Sequence, residues 1–257
     1  ECAMFDCHAR WLKEITSFDG VVSISHAVSS ELDLWMQDNV PDNIQYCKNK
    51  WFHLGADIDN SVPSMGMPAD AATILKMLAL RPSFLMVGTI EPRKRQDLAL
   101  EAFEKLWSSG LDVNLVIVGK KGWKTETLCK KLMNHPEVGK HLFWLNGISD
   151  EYLEKVYTAS TCLIAASEGE GFGLPLIEAA QKNLPIIARD IPVFREVAGE
   201  YAYYFSGKTG DELAEAVKDW LALYQAGKHP KSDDMPWLTW KESAQQLLKA
   251  IGIEEIQ

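Results

Sequence analysis

The chain has 257 residues, 47% of them apolar and 24% charged, which is enough to bury one large hydrophobic core or two smaller ones. Its formal net charge is -10. This charge excludes a protein whose main partner is a nucleic-acid backbone, because such proteins need a basic surface. The sequence has no apolar run of about 18 residues, so we expect no membrane-spanning segment.

Five cysteines are scattered along the sequence. An odd number of scattered cysteines in a chain of this length favours reduced thiols and a cytoplasmic protein over a disulfide framework. Cys2, Cys7 and His8 are close in sequence, but no second cluster completes four ligands, and we therefore predict no metal centre. The first residue is Glu rather than Met, so we expect a fragment of a longer protein.

In the first part of the chain, residues 1–58, positions 1–50 are predicted to form a helix, a strand and a second helix. The strand is the apolar run GVVSIS at 20–25. These elements are too few for a core of their own, and we interpret them as the remnant of a larger N-terminal domain. Residues 51–82 contain prolines, glycines and methionines with weak periodicity, and we predict a hinge there, with the linker between the two domains at 59–82.

Residues 83–236 alternate short apolar runs with amphipathic segments. Near-continuous apolar strands separated by helices are typical of a parallel sheet covered on both faces. We predict an α/β fold, a doubly wound, Rossmann-like parallel sheet of six strands in the order 3-2-1-4-5-6. The six runs are FLMVG at 84–88, NLVIVG at 114–119, HLFWL at 141–145, TCLIAA at 161–166, LPIIA at 184–188 and YAYYF at 201–205.

The last segment, residues 237–257, is predicted to form a helix that packs towards the N-terminal part of the chain. Thr239 is the predicted N-cap of this helix. Glu242 follows it at the spacing of a capping box, in which the two side chains satisfy backbone N–H groups at the start of the helix.

Two unusual loops follow the first and fourth strands of the predicted sheet. In a sheet of this order, those two loops flank the crevice in which ligands bind. The first loop, TIEPRKRQ at 89–96, places Arg93, Lys94 and Arg95 in a row within an acidic chain. This run favours phosphate recognition, because arginine donates bidentate hydrogen bonds and lysine supplies a compact charge. The alternative is a solvated, basic entry to the next helix.

The second loop, SEGEGFGLP at 167–175, carries three glycines. Gly171 and Gly173 let the backbone approach a ligand closely. Pro175 marks the start of a helix, whose first backbone N–H groups suit an anion. Glu178 lies about one turn into that helix, where its carboxylate can accept hydrogen bonds from two vicinal hydroxyls. The glycine spacing does not match the dinucleotide-binding signature GxGxxG, which would follow the first strand.

These residues resemble the retaining glycosyltransferases of family 4, which have the GT-B fold. The E-x7-E pattern of that family is present as Glu170 and Glu178 within EGFGLPLIEA. The stretch VGTIEPRK is similar to the phosphate loop of the family, and FWLNGISDEYL at 143–153 is similar to its base-binding segment. The resemblance covers residues 20–250.

The resemblance implies a role for each matching position. Glu178 would hold the ribose hydroxyls of a nucleotide sugar, and Glu170 would contact hydroxyls of the donor sugar. Lys94 and Arg93 would meet the diphosphate and act with Glu170 in catalysis. Many members have a basic residue where Thr89 stands, so the phosphate charge falls to Arg93 and Lys94 here. The positions implied in donor binding besides Glu178 are Gly88, Thr89, Ile148 (near the base), Ser167, Gly171, Phe172, Gly173 and Leu174.

The same resemblance implies the transfer of a hexose to a hydroxyl acceptor with retention at the anomeric carbon. VGTIEPRK and PWLTW are most similar to bacterial polysaccharide mannosyltransferases, which implies GDP-mannose as the donor. No cofactor and no metal would be needed. The partners would be the nucleotide sugar and a saccharide or lipid-linked saccharide acceptor, without nucleic acid. Peripheral contact with the inner face of the membrane would come through the missing N-terminal domain.

Several alternatives stay open. Asp57 and Asp59 spell a DxD motif, which is another means of neutralising a diphosphate through a metal, but they lie in the predicted hinge. One alternative is a nucleotide-binding module that is inactive in this form, because the acceptor domain is missing from the fragment. A sugar-nucleotide epimerase or a phosphorylase on the same fold is the remaining alternative. A phosphorylase would need a lysine that anchors its cofactor, and no clear candidate is found.

Overall fold

The computed structural model describes residues 2–40, 47–56 and 66–253. The chain divides into two compact units. The smaller unit contains the described parts of Glu1–Asp57 and Trp237–Gln257, and the larger unit contains those of Ile58–Pro236. Asp57 and Asp59, which spell the DxD motif, lie outside the described residues. Among the residues described, no helix is both long and apolar enough to cross a membrane.

The smaller unit is built around a pair of parallel strands, in which Gly20 lies opposite Lys48. Its last helix carries the predicted capping box, which is confirmed, since Thr239 and Glu242 each bond the backbone N–H of the other. The same helix bonds to His53, whose N–H donates to Gln246 at 3.1 Å. The elements of this unit are α1 (Cys2–Ile15), β1 (Gly20–Ser23), α2 (His26–Asn39), β2 (Lys48–Trp51) and α10 (Trp240–Ile251).

The larger unit contains six parallel strands, which are β3 (Ser83–Val87), β4 (Asn114–Val118), β5 (Leu142–Leu145), β6 (Cys162–Ala165), β7 (Ile186–Arg189) and β8 (Tyr203–Phe205). Their order in the sheet is β5-β4-β3-β6-β7-β8. The predicted doubly wound sheet is therefore confirmed, with β3 as its first strand and β6 as its fourth. The helices of this unit are α3 (Ala71–Ala79), α4 (Gln96–Ser108), α5 (Glu126–Asn134), α6 (Asp150–Ala159), α7 (Leu174–Gln181), α8 (Pro192–Ala198) and α9 (Gly210–Gln225), and a 3-10 turn (Pro92–Lys94) lies between β3 and α4.

Aromatic packing against β3 forms the centre of the core. The ring of Phe84 on β3 lies 5.5 Å from that of Phe103 on α4 and 5.6 Å from that of Trp220 on α9, edge to face in both cases. All three side chains are fully buried. Burying each stabilises the fold by about 1.5–3 kcal/mol, so the core fixes β3 and hence the loop that leaves its carboxyl end.

The predicted linker over residues 59–82 is wrong for part of its length. Residues Ala71–Ala79 form α3, which packs against α6. Leu78 is buried, and its carbonyl accepts a hydrogen bond of 2.7 Å from Ser83 Oγ at the start of β3. The segment AATILKMLA places apolar residues at helical spacing, but it is only nine residues long. So short a helix depends on tertiary packing rather than on a strong periodic signal.

Candidate functional site

Two loops meet where the winding of the sheet reverses. β3 and β6 are adjacent, with Phe84 opposite Cys162, and each continues into one of the unusual loops singled out in the sequence. The backbone N–H of Glu168 donates to the carbonyl of Arg93 at 2.9 Å, which joins the two loops directly. The prediction that these loops flank one crevice is therefore confirmed.

Three side chains converge on the carboxylate of Glu170. Lys94 Nζ lies 2.6 Å from Oε1, and Arg93 donates to Oε2 at 2.7 Å. Ser167 Oγ donates to Oε1 at 2.8 Å. Burial alone would raise the pKa of Glu170, but the hydrogen bonds and charges of Lys94 and Arg93 outweigh it, and the pKa is lowered. The site therefore holds an ionised carboxylate against two cations.

Gly88 makes room for the lysine. Its φ of +140° lies in a region that side chains disfavour, and a Cβ there would lie 3.3 Å from Lys94 Cε and Nζ. Without that atom, the lysine side chain can cross the carboxyl end of β3 towards Glu170. Arg93 is anchored as well, because it also donates to the carbonyl of Gly169 at 2.9 Å.

The second loop ends in the first turn of α7. Gly173 precedes the helix with a φ of +103°, and its carbonyl accepts from Leu176 N–H at 2.9 Å. Pro175 is the second residue of the helix. Gly173 and Pro175 line a pocket at the point where the winding of the sheet reverses, as expected for the predicted crevice. The pocket is lined by Met86, Val87, Lys94, Gln96, Ser167, Glu170, Gly173, Pro175, Leu176, Phe194 and residues 163–166.

The second carboxylate, Glu178, lies one turn into α7. Its Oε2 accepts a hydrogen bond of 2.6 Å from the hydroxyl of Tyr157 on α6. The side chain of Tyr157 is almost fully buried. Burial raises the pKa of Glu178, although the bond from Tyr157 acts in the opposite direction. Burial and the neighbouring carboxylate raise the pKa of Tyr157 well above its usual range. At neutral pH the phenol is therefore the donor in this pair.

The other predicted positions are not all brought to the pocket. Ile148 is half-buried in the loop before α6 and is not among the lining residues. Thr89 has an exposed side chain, and its carbonyl accepts a hydrogen bond of 3.1 Å from Gln96. Phe172 is buried, whereas Gly171 and Leu174 are half-buried. Lys94, Ser167, Glu170 and Gly173 are the predicted positions that share the pocket.

Arg95 differs from the two basic residues before it. It adopts a left-handed conformation, with φ +56°, between the 3-10 turn and α4. Its guanidinium forms ion pairs with Glu168 in the second loop and with Asp97, the latter at 3.1 Å. The basic run is thus divided, since Arg95 joins the loops while Arg93 and Lys94 meet at Glu170.

Three residues at the site were missed from the sequence. Gln96 is buried and bonds the first loop, and its signal is a polar residue on the apolar face of α4. Tyr157 likewise lies on the buried face of α6. Arg189 ends the otherwise apolar strand IIAR, is buried, and donates to the carbonyl of Ala166 at 2.8 Å and to that of Gly207. In all three cases, a single polar residue occupies a position of its helix or strand at which apolar residues are buried.

Comparison with known proteins identifies the family. The model of the family described as "Glycosyl transferases group 1" matches residues 79–233 of this chain. The chain belongs to this family. The match includes both loops of the site, from Gly88 to Glu178, and it confirms the family resemblance read from the two glutamates and the basic loop.

One relative of this chain is much longer than the chain itself. The chain is 53% identical over 239 residues to the "Serotype-specific mannosyltransferase WbdA" of Escherichia coli, and the alignment covers 91% of this chain but 29% of that protein. The chain therefore spans less than a third of the length of this relative. A second relative, the "O-antigen chain mannosyltransferase B" of Escherichia coli, is 29% identical over 136 residues, covering 52% of this chain and 35% of that protein.

Solved structures share the fold at low sequence identity. HepE of Anabaena, in complex with UDP and glucose, has a TM-score of 0.69 and 15% identity, with 91% of this chain and 62% of that chain covered. Sucrose-phosphate synthase of Thermosynechococcus elongatus has a TM-score of 0.69 and 20% identity, with 93% and 59% covered. At these identities the likeness establishes the shared fold.

Proposed function

We propose that this chain carries the donor site of a retaining mannosyltransferase, which takes mannose from GDP-mannose and transfers it to a hydroxyl of a saccharide or lipid-linked saccharide. The observation that carries the proposal is the convergence of Lys94 and Arg93 on one anion at the switch point of the sheet, at 2.6 and 2.7 Å. The name of the Escherichia coli relative, a mannosyltransferase, supports mannose as the sugar.

The basic pair suits a diphosphate leaving group. Cleavage of the sugar–phosphate bond builds negative charge on the diphosphate, and fixed cations nearby stabilise that charge most when they are already oriented. Lys94 and Arg93 are oriented before the ligand arrives, because Glu170, Gly169 and Glu91 bond them. Pro175 and Leu176 in the first turn of α7 line the same pocket, so the positive end of the helix dipole adds to the stabilisation.

The two glutamates are proposed to grip the two polyol ends of the donor. Glu170 would accept hydrogen bonds from the sugar hydroxyls and stabilise positive charge that develops on the sugar ring. Glu178 would accept hydrogen bonds from the ribose. The loop glycines would leave room for the diphosphate between the carboxylates. On this proposal the donor is bound without a metal ion or a cofactor, because the side chains supply the positive charge.

Calorimetric titration of the chain with a nucleotide panel tests the proposal. The panel contains GDP, GDP-mannose, UDP, UDP-glucose and guanosine, each with EDTA and with Mg²⁺. We expect GDP and GDP-mannose to bind in the micromolar to millimolar range usual for enzyme substrates, and guanosine to bind far more weakly. The affinities should be the same with EDTA and with Mg²⁺.

Each contrary result has a defined meaning. A preference for UDP over GDP would correct the base. Binding that requires Mg²⁺ would favour the metal alternative. If the chain bound none of the nucleoside diphosphates at millimolar concentrations, the donor-site proposal would be wrong.

Lys218→Ala is a suitable control, because Lys218 lies on the exposed surface of α9 and pairs only with Glu215 among the described residues, at 2.8 Å. This variant should bind like the unmodified chain.

A further inference from the structure

A buried tyrosine supports the second carboxylate of the site. We propose that Tyr157 is a positioning residue for ribose recognition, which holds one oxygen of Glu178 so that the other oxygen becomes the principal acceptor for the nucleotide. The inference rests on the proposed function. It adds a residue from α6, outside both loops, and it makes the ribose grip asymmetric.

The geometry of the pair supports this role. The Tyr157 hydroxyl lies 2.6 Å from Glu178 Oε2, a length typical of a hydrogen bond to an ionised acceptor. Tyr157 has 3% of its surface exposed, so its ring is fixed by packing. Among the residues that the structure describes, no hydrogen bond is found to Glu178 Oε1. A rigid donor on one side and an open acceptor on the other fix the direction from which a ligand hydroxyl can bond.

An asymmetric carboxylate should distinguish the two ribose hydroxyls. A free carboxylate can accept from two vicinal hydroxyls, one at each oxygen. With Oε2 already bonded to Tyr157, one ribose hydroxyl has Oε1 to itself, and the other must share Oε2 with the phenol, which weakens its bond. Removal of one hydroxyl from the nucleotide should therefore cost much more affinity than removal of the other.

The pH dependence of binding supplies a second readout. Among the described residues, the side chains that act on the charge of Glu178 are Tyr157 and Asp150 from α6 and Lys94 from the 3-10 turn after β3. Only the Tyr157 hydroxyl donates a hydrogen bond to this carboxylate within the described part of the chain. Loss of that donor disfavours the ionised form, so protonation of Glu178 and the accompanying loss of nucleotide affinity should begin at higher pH.

Tyr157→Phe tests the proposal, because it deletes the hydroxyl and keeps the ring. The matched control is Tyr152→Phe on the same helix. Tyr152 is also buried, but its hydroxyl has no hydrogen-bond partner among the described residues. Dissociation constants for GDP, 2′-deoxy-GDP and 3′-deoxy-GDP are measured by calorimetry between pH 5 and pH 8 for the unmodified chain and both variants.

We expect three results. The unmodified chain should lose affinity unequally for the two deoxynucleotides. Tyr157→Phe should bind GDP roughly three- to tenfold more weakly, as for the loss of one hydrogen bond. Its affinities for the two deoxynucleotides should differ less than those of the unmodified chain. Its loss of affinity on acidification should begin at higher pH. Tyr152→Phe should match the unmodified chain in all three respects.

The outcomes separate this inference from the function on which it rests. If the unmodified chain binds GDP but loses equal affinity for both deoxynucleotides, the asymmetric grip is wrong and the donor site stands. The asymmetric grip is also wrong if Tyr157→Phe leaves the affinities and the pH profile unchanged. If the unmodified chain binds no nucleoside diphosphate, both the function and the role of Tyr157 are wrong.

Discussion

Lys94 Nζ lies 2.6 Å from Glu170 Oε1, so the lysine proposed to bind the diphosphate is already paired with a carboxylate of the protein. Arg93 bonds the other oxygen of the same carboxylate at 2.7 Å. A diphosphate that enters the pocket must displace Glu170 from these cations or share them with it. The carboxylate thus holds the two cations in place before a ligand binds, and it also competes for them.

Replacement of Glu170 by Gln should therefore strengthen the binding of GDP. Glutamine has the shape of glutamate but neither repels a diphosphate nor competes as strongly for Lys94 and Arg93. Removal of one charge at this distance is worth about 1 kcal/mol or more in a partly screened site, so we expect a gain of roughly fivefold or greater, measured by calorimetry. The gain should be smaller for GDP-mannose, because Glu170 is proposed to bond its sugar. Weaker binding of GDP to this variant would contradict the competition.

Lys94→Ala should have the opposite effect, and only on ligands with phosphate. The lysine meets the diphosphate charge, so we expect the affinity for GDP to fall by roughly tenfold or more, as for a hydrogen bond to a charged group. The affinity for guanosine should stay the same. The deciding measurement is the ratio of the affinity for GDP to that for guanosine in Lys94→Ala, compared with the same ratio in Lys218→Ala. An equal loss for GDP and guanosine would mean that the substitution disturbs the pocket as a whole.

The order of the six strands and the meeting of the two loops could be predicted from the sequence because buried parallel strands are continuous apolar runs. β2 was missed for the converse reason. Its sequence, KNKW, is polar, and it is mostly exposed. The partners of the site residues were missed as well, because hydrogen bonds such as those of Tyr157 and Arg189 join segments far apart in the chain. Burial of a polar side chain on an apolar face is visible in the sequence, but its partner is not.

The two glutamates should affect stability with opposite signs. Burial raises the pKa of Glu178 in the folded state. The unfolded chain therefore loses this proton at lower pH than the folded chain, and ionisation of Glu178 lowers the stability as pH rises from the ordinary glutamate value to the folded-state pKa. Glu178→Gln should be more stable than the unmodified chain at pH 7, and this advantage should disappear as the pH falls below the ordinary value.

Glu170 provides the contrast, since its folded-state pKa is lowered. Its ionisation contributes stability above the ordinary glutamate value, and this contribution is lost as pH falls through the folded-state pKa. Glu170→Gln should thus be less stable than the unmodified chain at pH 7, with a difference that closes on acidification. Urea denaturation at pH 7 and at acidic pH checks both signs. The same sign for both variants at pH 7 would refute the assignment of the two environments.

Arg189 should be required for the stability of the loop that carries Ser167 and Glu170. Its guanidinium donates to the carbonyl of Ala166 at 2.8 Å and to that of Gly207, and it lies over the ring of Phe205 at 5.0 Å. It therefore joins the carboxyl end of β6 to the segment after β8. Burial lowers the pKa of Arg189, because desolvation disfavours the charged guanidinium.

Two effects oppose each other when Arg189 is replaced by Met. Removal of a buried charge relieves its desolvation, which by itself is favourable. The carbonyls of Ala166 and Gly207 lose their donor, however, and each unsatisfied buried carbonyl costs about 1–3 kcal/mol. We expect the second effect to be larger, with a net loss of about 2 kcal/mol in the free energy of unfolding and weaker GDP binding.

The control is Arg195→Met, because Arg195 is half-exposed and pairs with Asp190 at 2.7 Å. Such surface pairs are worth at most about 1 kcal/mol. Equal, small losses in urea denaturation for the two variants would mean that the guanidinium of Arg189 does not hold the loop.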